Sequence, residues 1–195
     1  MTTIGLIRHG VTDWNDLGKS QGISDIPLNN LGRRQAMAIA SRVSSDKWDI
    51  IASSNLMRAK ETAKIICASI GLDSLIIDDR LREIDCGLIE GTTEEERILQ
   101  WGENWRLQHL GMEPYEEVAQ RGLEFIEEVT MKYYGKMILI VSHGALIGLS
   151  LQHLLPNVFS KTNIDNTSIT IIKHRINMWE CCLYNCTKHL NEIIC

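Results

Sequence analysis

Residues 137–144 read MILIVSHG, five apolar side chains followed by a serine, an imidazole and a glycine. Residues 3–10 read TIGLIRHG and close in the same way, a short apolar run that breaks at Arg8, His9 and Gly10. Apolar runs of this length, bounded by polar residues, fit strands buried on both faces. Strands of that kind need cover from two sides, and the sequence between the two runs supplies it.

Around these runs, strand and helix signals alternate. A helix is predicted from about Leu31, with Asn29 or Asn30 as its N-cap, because Ala36, Ile39, Ala40 and Val43 share one face. Residues 49–53 form a second short strand. Leu56, Ala59, Ala63, Ile66, Cys67 and Ile70 then recur at helical spacing, and Gly71 is a natural stop. Residues 75–77 are a further strand candidate. Residues 92–110 read as an irregular helix whose acidic start, Glu94, Glu95 and Glu96, suits a helix N-terminus. Tyr115, Val118, Gly122, Phe125, Ile126, Val129 and Tyr133 make a single helical stripe, and a short apolar helix follows Gly144 to Leu155. Two last strand-like runs, 168–173 and 179–184, are separated by the polar Arg175 and Asn177. Residues 11–30, rich in Gly, Asn, Asp and Ser and containing Pro27, read as a long loop. This order predicts an α/β three-layer sandwich, a mostly parallel central sheet with helices on both faces. Ligands of such sheets bind beyond the carboxyl ends of the strands, and both His-Gly pairs fall there.

Composition narrows the function classes. The 195 residues are 44% hydrophobic and 23% charged, ordinary values for one globular domain and unlike those of a disordered or fibrous chain. Twenty Lys and Arg against 25 Asp and Glu give a net charge of −5, which argues against a nucleic-acid partner. An anionic substrate therefore needs a local concentration of positive charge. The start, MTTIGLIRHG, lacks the features of an export signal, and the apolar runs are too short to span a bilayer. No membrane partner is expected, the predicted location is cytoplasmic, and the six Cys are read as reduced thiols.

One isolated His is more often a surface or core imidazole than a functional group. Two that each end an apolar strand and precede Gly point to a shared site. A metal centre is the rival reading, but the chain has no HExxH and no CxxC pair with zinc-site spacing, and Arg8 would repel a cation beside His9. Cys181 and Cys182 would face opposite sides of a strand, so these two, Cys186 and His189 make no obvious ligand set. No metal and no cofactor is expected. The GKS at 18–20 resembles the end of a P-loop, yet Asp13 stands where the first glycine would be required. Glu83, Asp85 and Glu90 are carboxylates close together in the chain, with nothing in their spacing to separate them, and Trp101 and Trp105 suit either a pocket roof or core packing.

RHGVTDWN at 8–15, QGISDIPL at 21–28, LGRRQA at 31–36, SSNLMRAKETA at 53–63, LREIDCG at 81–87, VSHG at 141–144 and NTSIT at 166–170 together resemble the histidine phosphatase superfamily. This is the phosphoglycerate-mutase-like group, and the likeness is to its small broad-specificity phosphatases. The resemblance implies a single histidine phosphatase domain over 1–195 with a small cap at about 91–113. It implies that His9 is the nucleophile, that Arg8, Arg58 and His143 hold the transferring phosphoryl group, and that Glu83 is the general acid and base. It also places Asn15, Gln21, Gly22 and Asn166 around the substrate phosphate. The chemistry is consistent with those roles. A neutral imidazole is a fair nucleophile near neutral pH, and cationic donors stabilise charge spread over the equatorial oxygens. Two departures touch the cap. Ile89 replaces an aromatic residue, and GMEP at 111–114 replaces GGES.

The expected function is hydrolysis of a small phosphate ester through a phosphohistidine. The alternatives are a cofactor-dependent phosphoglycerate mutase, a ribazole-phosphate phosphatase and a non-catalytic phosphate-binding protein. Only 60 positions (143 − 83) separate Glu83 from His143, and the cap carries just Arg97 and Arg106 as arginines. A short cap of that kind favours the hydrolase over a mutase, which needs basic residues for a substrate carboxylate. Substrate identity and oligomeric state are left open.

Overall fold

The computed structural model describes residues 1–176 and 178–191. Its strands are β1 (Thr2–Arg8), β2 (Ile50–Ser53), β3 (Ile76–Ile77), β4 (Met137–Ser142), β5 (Ile169–Arg175) and β6 (Met178–Cys186). The helices are α1 (Asp13–Asp16), α2 (Asn30–Val43), α3 (Met57–Ile70), α4 (Glu94–Trp101), α5 (Tyr115–Lys132) and α6 (Gly144–Leu154). One sheet runs in the order β3-β2-β4-β1-β5-β6. β1 through β4 are parallel, β5 is antiparallel to β1, and β6 is antiparallel to β5. Only β5 therefore opposes the common direction, and the mixed but mostly parallel sheet follows the sequence reading.

The two-residue period of the central strands sorts their side chains into two cores. Ile4, Leu6, Ile138 and Ile140 pack with Phe125, Ile126 and Val129 of α5 and Leu146, Ile147 and Leu151 of α6. On the other face Ile7, Leu139 and Val141 pack with Ile39 and Val43 of α2 and Ala63 and Ile66 of α3. Each fully buried aliphatic side chain contributes about 1.5–3 kcal/mol relative to exposure. No helix among the described residues is long and apolar enough to cross a membrane.

Local signals placed most boundaries. The Asn29 side chain accepts from the Gly32 N–H to cap α2, and Gly71 ends α3 in the left-handed conformation at φ 71°. Three readings differ. The loop over 11–30 contains α1, closed by a reciprocal capping box between Thr12 and Asn15. Helix over 92–110 is confined to α4, because Gly102 takes φ 81° and redirects the chain into a 3₁₀ turn, Trp105–Leu107. Tyr115, first of the α5 stripe, is 58% exposed rather than in the core. Asn177, read as part of the break between the last strands, lies outside the described residues, as does Cys195.

Gly10 joins β1 to the start of α2 by direct backbone contact. A Cβ added there would lie 2.5 Å from the Gly32 carbonyl oxygen and 3.0 Å from its Cα. Gly144 is different, since an added Cβ would meet only Arg8 at an ordinary 3.5 Å. Gly10→Ala should therefore cost about 1–3 kcal/mol as overpacking against main chain, with Gly144→Ala much milder. Urea unfolding of the two variants checks this, and equal stabilities would contradict it.

Candidate active site

The parallel register pairs Arg8 with Ser142. The next residue on each strand is a histidine, so His9 and His143 leave the sheet side by side, with ring centroids 5.1 Å apart and planes at 56°. His9 Nδ1 lies 2.7 Å from the Gly10 carbonyl oxygen, which can only accept. Nδ1 therefore carries the hydrogen, and Nε2 bears the free lone pair. Burial pushes the His9 pKa well below 6.5, and the nearby Arg8 and Arg58 charges add to the shift. His143 is lowered in the same way by burial, Arg58, His9 and Arg8, and both of its ring nitrogens are buried without a partner.

Arg58 arrives from the neighbouring strand. β2 pairs with β4 through Ser53 and Val141, and α3 begins shortly afterwards, placing Arg58 in its first turn and fully buried. Its Nη1 donates to the Ser24 carbonyl and its Nη2 to the Gly22 carbonyl, each at 2.7 Å, while Nε has no partner. Arg8 Nη1 donates to the Ile164 carbonyl at 2.7 Å, and its Nε is likewise unpaired. A guanidinium has five N–H donors, so both arginines keep hydrogen-bonding capacity for an anion.

Glu83 supplies the facing carboxylate and interacts with the charges of both Arg8 and Arg58. It accepts from the backbone N–H groups of Ile84 at 3.0 Å, Ala145 at 3.2 Å and Leu146 at 3.3 Å. It therefore sits on the amino end of α6, where the first backbone amides have no partner within the helix. Asp85 accepts instead from Gly87 N–H, and Glu90 is engaged with residues 23, 24 and 86. Neither shares the α6 position of Glu83.

The remaining candidates form the rim. Asn166 Nδ2 donates to the His9 carbonyl at 3.1 Å and to Asn15 Oδ1 at 3.3 Å. Gln21 is buried and accepts from the Thr12 hydroxyl at 2.9 Å, while Gly22 meets the site through its carbonyl on Arg58. A cleft of about 410 Å³ opens beside Arg8 and Glu83 and is lined also by Met112, Tyr115, Leu149, Gln152 and Asn163. Tyr115 is thus exposed because it faces this cleft. Trp105 resolves to core packing: it is 4% exposed, donates to Glu94, and carries the Arg97 and Arg106 guanidinium groups against its ring.

Arg121, on α5, was not singled out by sequence. It donates to the carbonyls of Arg80, Arg82 and Glu83 and pairs with Glu113 at 2.8 Å, so it clamps the segment that carries Glu83. Its only sequence signal is a charge directly beside the Gly122 position of an apolar stripe, which any solvated face shares.

The profile described as the Histidine phosphatase superfamily (branch 1) matches residues 4–187. The chain belongs to this superfamily. It is 38% identical, over the full length of both chains, to the uncharacterized phosphatase PhoE of Bacillus subtilis (strain 168). It is 33% identical to a probable phosphoglycerate mutase, GpmB, of Yersinia enterocolitica, over 92% of this chain and 88% of that one. Among solved structures, a phosphoserine phosphatase mutant from Entamoeba histolytica in complex with phosphoserine superposes with a TM-score of 0.83 at 32% identity, covering 97% of this chain and 100% of that one. The histidine phosphatases thus share the architecture described above.

The lowered histidines have a consequence for stability. The folded pKa of His9 and of His143 lies well below 6.5, and burial with Arg42 pushes His189 down to about 4. The unfolded chain takes up these protons first, so each group contributes stability above about pH 6.5 that is lost as pH falls below it. The melting temperature should decline steadily from pH 7 to pH 5, and less steeply in a His143→Asn variant. Calorimetry across that range is the check, and identical slopes for the two proteins would contradict the assignment.

Proposed function

We propose that the protein hydrolyses a phosphomonoester of a small metabolite through a phosphohistidine. The observation that carries this reading is the state of His9: a buried imidazole with Nδ1 tied to its own chain and Nε2 free, beside buried guanidinium nitrogens that have no partner. In the first step the Nε2 lone pair attacks phosphorus while the P–O bond to the alcohol breaks. The Glu83 carboxyl gives its proton to the leaving oxygen. In the second step Glu83, now ionised, takes a proton from water, whose oxygen attacks phosphorus. The P–N bond breaks, releasing inorganic phosphate and a neutral His9. Arg8, Arg58 and His143 donate to the equatorial oxygens in both steps, where fixed donors act most strongly. Asn15, Gln21, Gly22 and Asn166 shape the phosphate end, and the cleft beside Glu83 takes the alcohol.

The lining of that cleft favours hydrolase over mutase. Among the described residues around it, Arg8 is the sole cation. In the segment proposed as the cap, 91–113 of a single catalytic domain, Arg106 is paired with Glu94 and Arg97 donates to Thr92 and Glu94. Neither is free to hold a substrate carboxylate. Phosphatase names among the similar proteins support the same class, while the mutase name keeps phosphoryl return to substrate as the second reading. The free cysteines, five among the described residues, suit the reducing cytoplasm.

His9→Ala should abolish both turnover and the acid-labile phosphoprotein, and surviving hydrolysis would overturn the nucleophile assignment. Glu83→Gln should lower kcat/KM, which reports the steps up to departure of the alcohol, about 10²- to 10⁴-fold on an alkyl phosphate. The loss should be smaller on p-nitrophenyl phosphate, whose leaving group needs little protonation; equal losses would remove Glu83 from the acid role. Activity should persist in EDTA. A panel of phosphate esters including 3-phosphoglycerate, with and without its bisphosphate, separates the readings: phosphate release supports the hydrolase, and fast isomerisation selects the mutase.

A further inference from the structure

Glu90 lies outside the group that would touch the phosphoryl moiety, yet it is the most heavily bonded carboxylate near it. Its Oε1 accepts from Ile23 N–H at 2.8 Å and Cys86 N–H at 3.3 Å, and its Oε2 from Ser24 N–H at 3.0 Å and from the Ser24 hydroxyl. The carbonyls of Gly22 and Ser24, on the same stretch of chain, are the two acceptors that hold Arg58. The Gly22 C=O and the Ile23 N–H belong to one peptide unit. That unit therefore bridges the carboxylate to the guanidinium, with Glu90 on its donor end and Arg58 on its acceptor end.

Two further features fix this segment. Gly22 takes φ +51°, and a Cβ added there would run into the Glu90 carboxylate, so the chain is pressed directly onto that group. Asp25 accepts from the Met57 N–H, capping α3 where Leu56 offers no side-chain bond, one residue before Arg58. Residues 22–25 thus form a collar around Arg58, held by Glu90 on one side and by α3 on the other.

We propose that Glu90 is a positioning residue for phosphoryl transfer: it sets the 22–24 main chain so that two carbonyls aim the Arg58 guanidinium at the substrate. This rests on the phosphatase reading above. It acts through a peptide rather than by a direct ion pair, so the Arg58 Nε stays without a protein partner and can meet a phosphoryl oxygen. Glutamine at position 90 keeps the size but offers a single oxygen, so it cannot accept from both Ile23 and Ser24 through separate oxygens.

The test is a double-mutant cycle on p-nitrophenyl phosphate, with orthovanadate affinity by calorimetry as a readout independent of turnover. Glu90→Gln should lower kcat/KM and weaken vanadate binding by about 10- to 100-fold, the scale of a misplaced binding group, with the melting temperature nearly kept. In an Arg58→Ala background the same change should have less than about a threefold effect, because the group it positions is gone. Full additivity, or wild-type vanadate affinity in Glu90→Gln, would overturn the proposal. Should Glu90→Gln not fold, Ser24→Ala removes one of the bonds and should give a smaller loss that also vanishes without Arg58; a loss that persists there overturns it. A wild-type protein that binds vanadate with this same coupling but releases no phosphate from any ester would refute the phosphatase reading and leave the role of Glu90 standing.

Discussion

Two guanidinium groups and two imidazoles lie close enough to act on one another's charge, and the fold must sustain that concentration of positive character before any anion arrives. Burial alone disfavours a charged side chain unless it is paired or hydrogen-bonded. The arginines keep their charge and take main-chain carbonyls as partners: Ile164 for Arg8, Gly22 and Ser24 for Arg58. The histidines yield, their pKa values lowered by burial and by the arginines. His9 is thereby held as the neutral species that has a lone pair to offer. The surroundings that lower its pKa are the ones the proposed nucleophilic role calls for.

The sheet supplies the geometry. Parallel pairing of β1 with β4 sets the two histidines abreast, and pairing of β4 with β2 delivers α3 and Arg58 at the same edge. β5 completes the enclosure from the opposite side, where the Thr167 N–H donates to the carbonyls of Arg8 and His9 and Asn166 reaches Asn15. Glu83 comes from the chain between β3 and α4, which the sheet touches through the Ser142 hydroxyl on the Leu81 carbonyl. Arg121 and Glu113 clamp the rest of it.

The sequence disclosed whatever depended on short-range pattern. Both His-Gly strand ends, the α2 cap at Asn29 and the stop at Gly71 followed from periodicity and turn chemistry, and the antiparallel β5 did not, because strand direction has no local signature. Arg58 was legible only through the ordered motifs shared with histidine phosphatases, since beside Lys60 and Glu61 it reads as a solvated charge. Tyr115 was misread because an apolar stripe does not say where its core ends and a cleft begins. Arg121 and Glu90 could not be singled out because most of their partners are backbone atoms dozens of residues away, contacts that leave no trace in residue type.

Holding Arg58 by neutral carbonyls has a consequence for any anion that enters. Peptide oxygens orient the cation without forming an ion pair with it, while Glu83, Asp25 and Glu90 reach its charge only through space. The guanidinium direction is thus set by main chain, and its electrostatic strength is set separately by three carboxylates at a distance. An incoming phosphate meets a cation whose aim and whose field are governed by different parts of the fold.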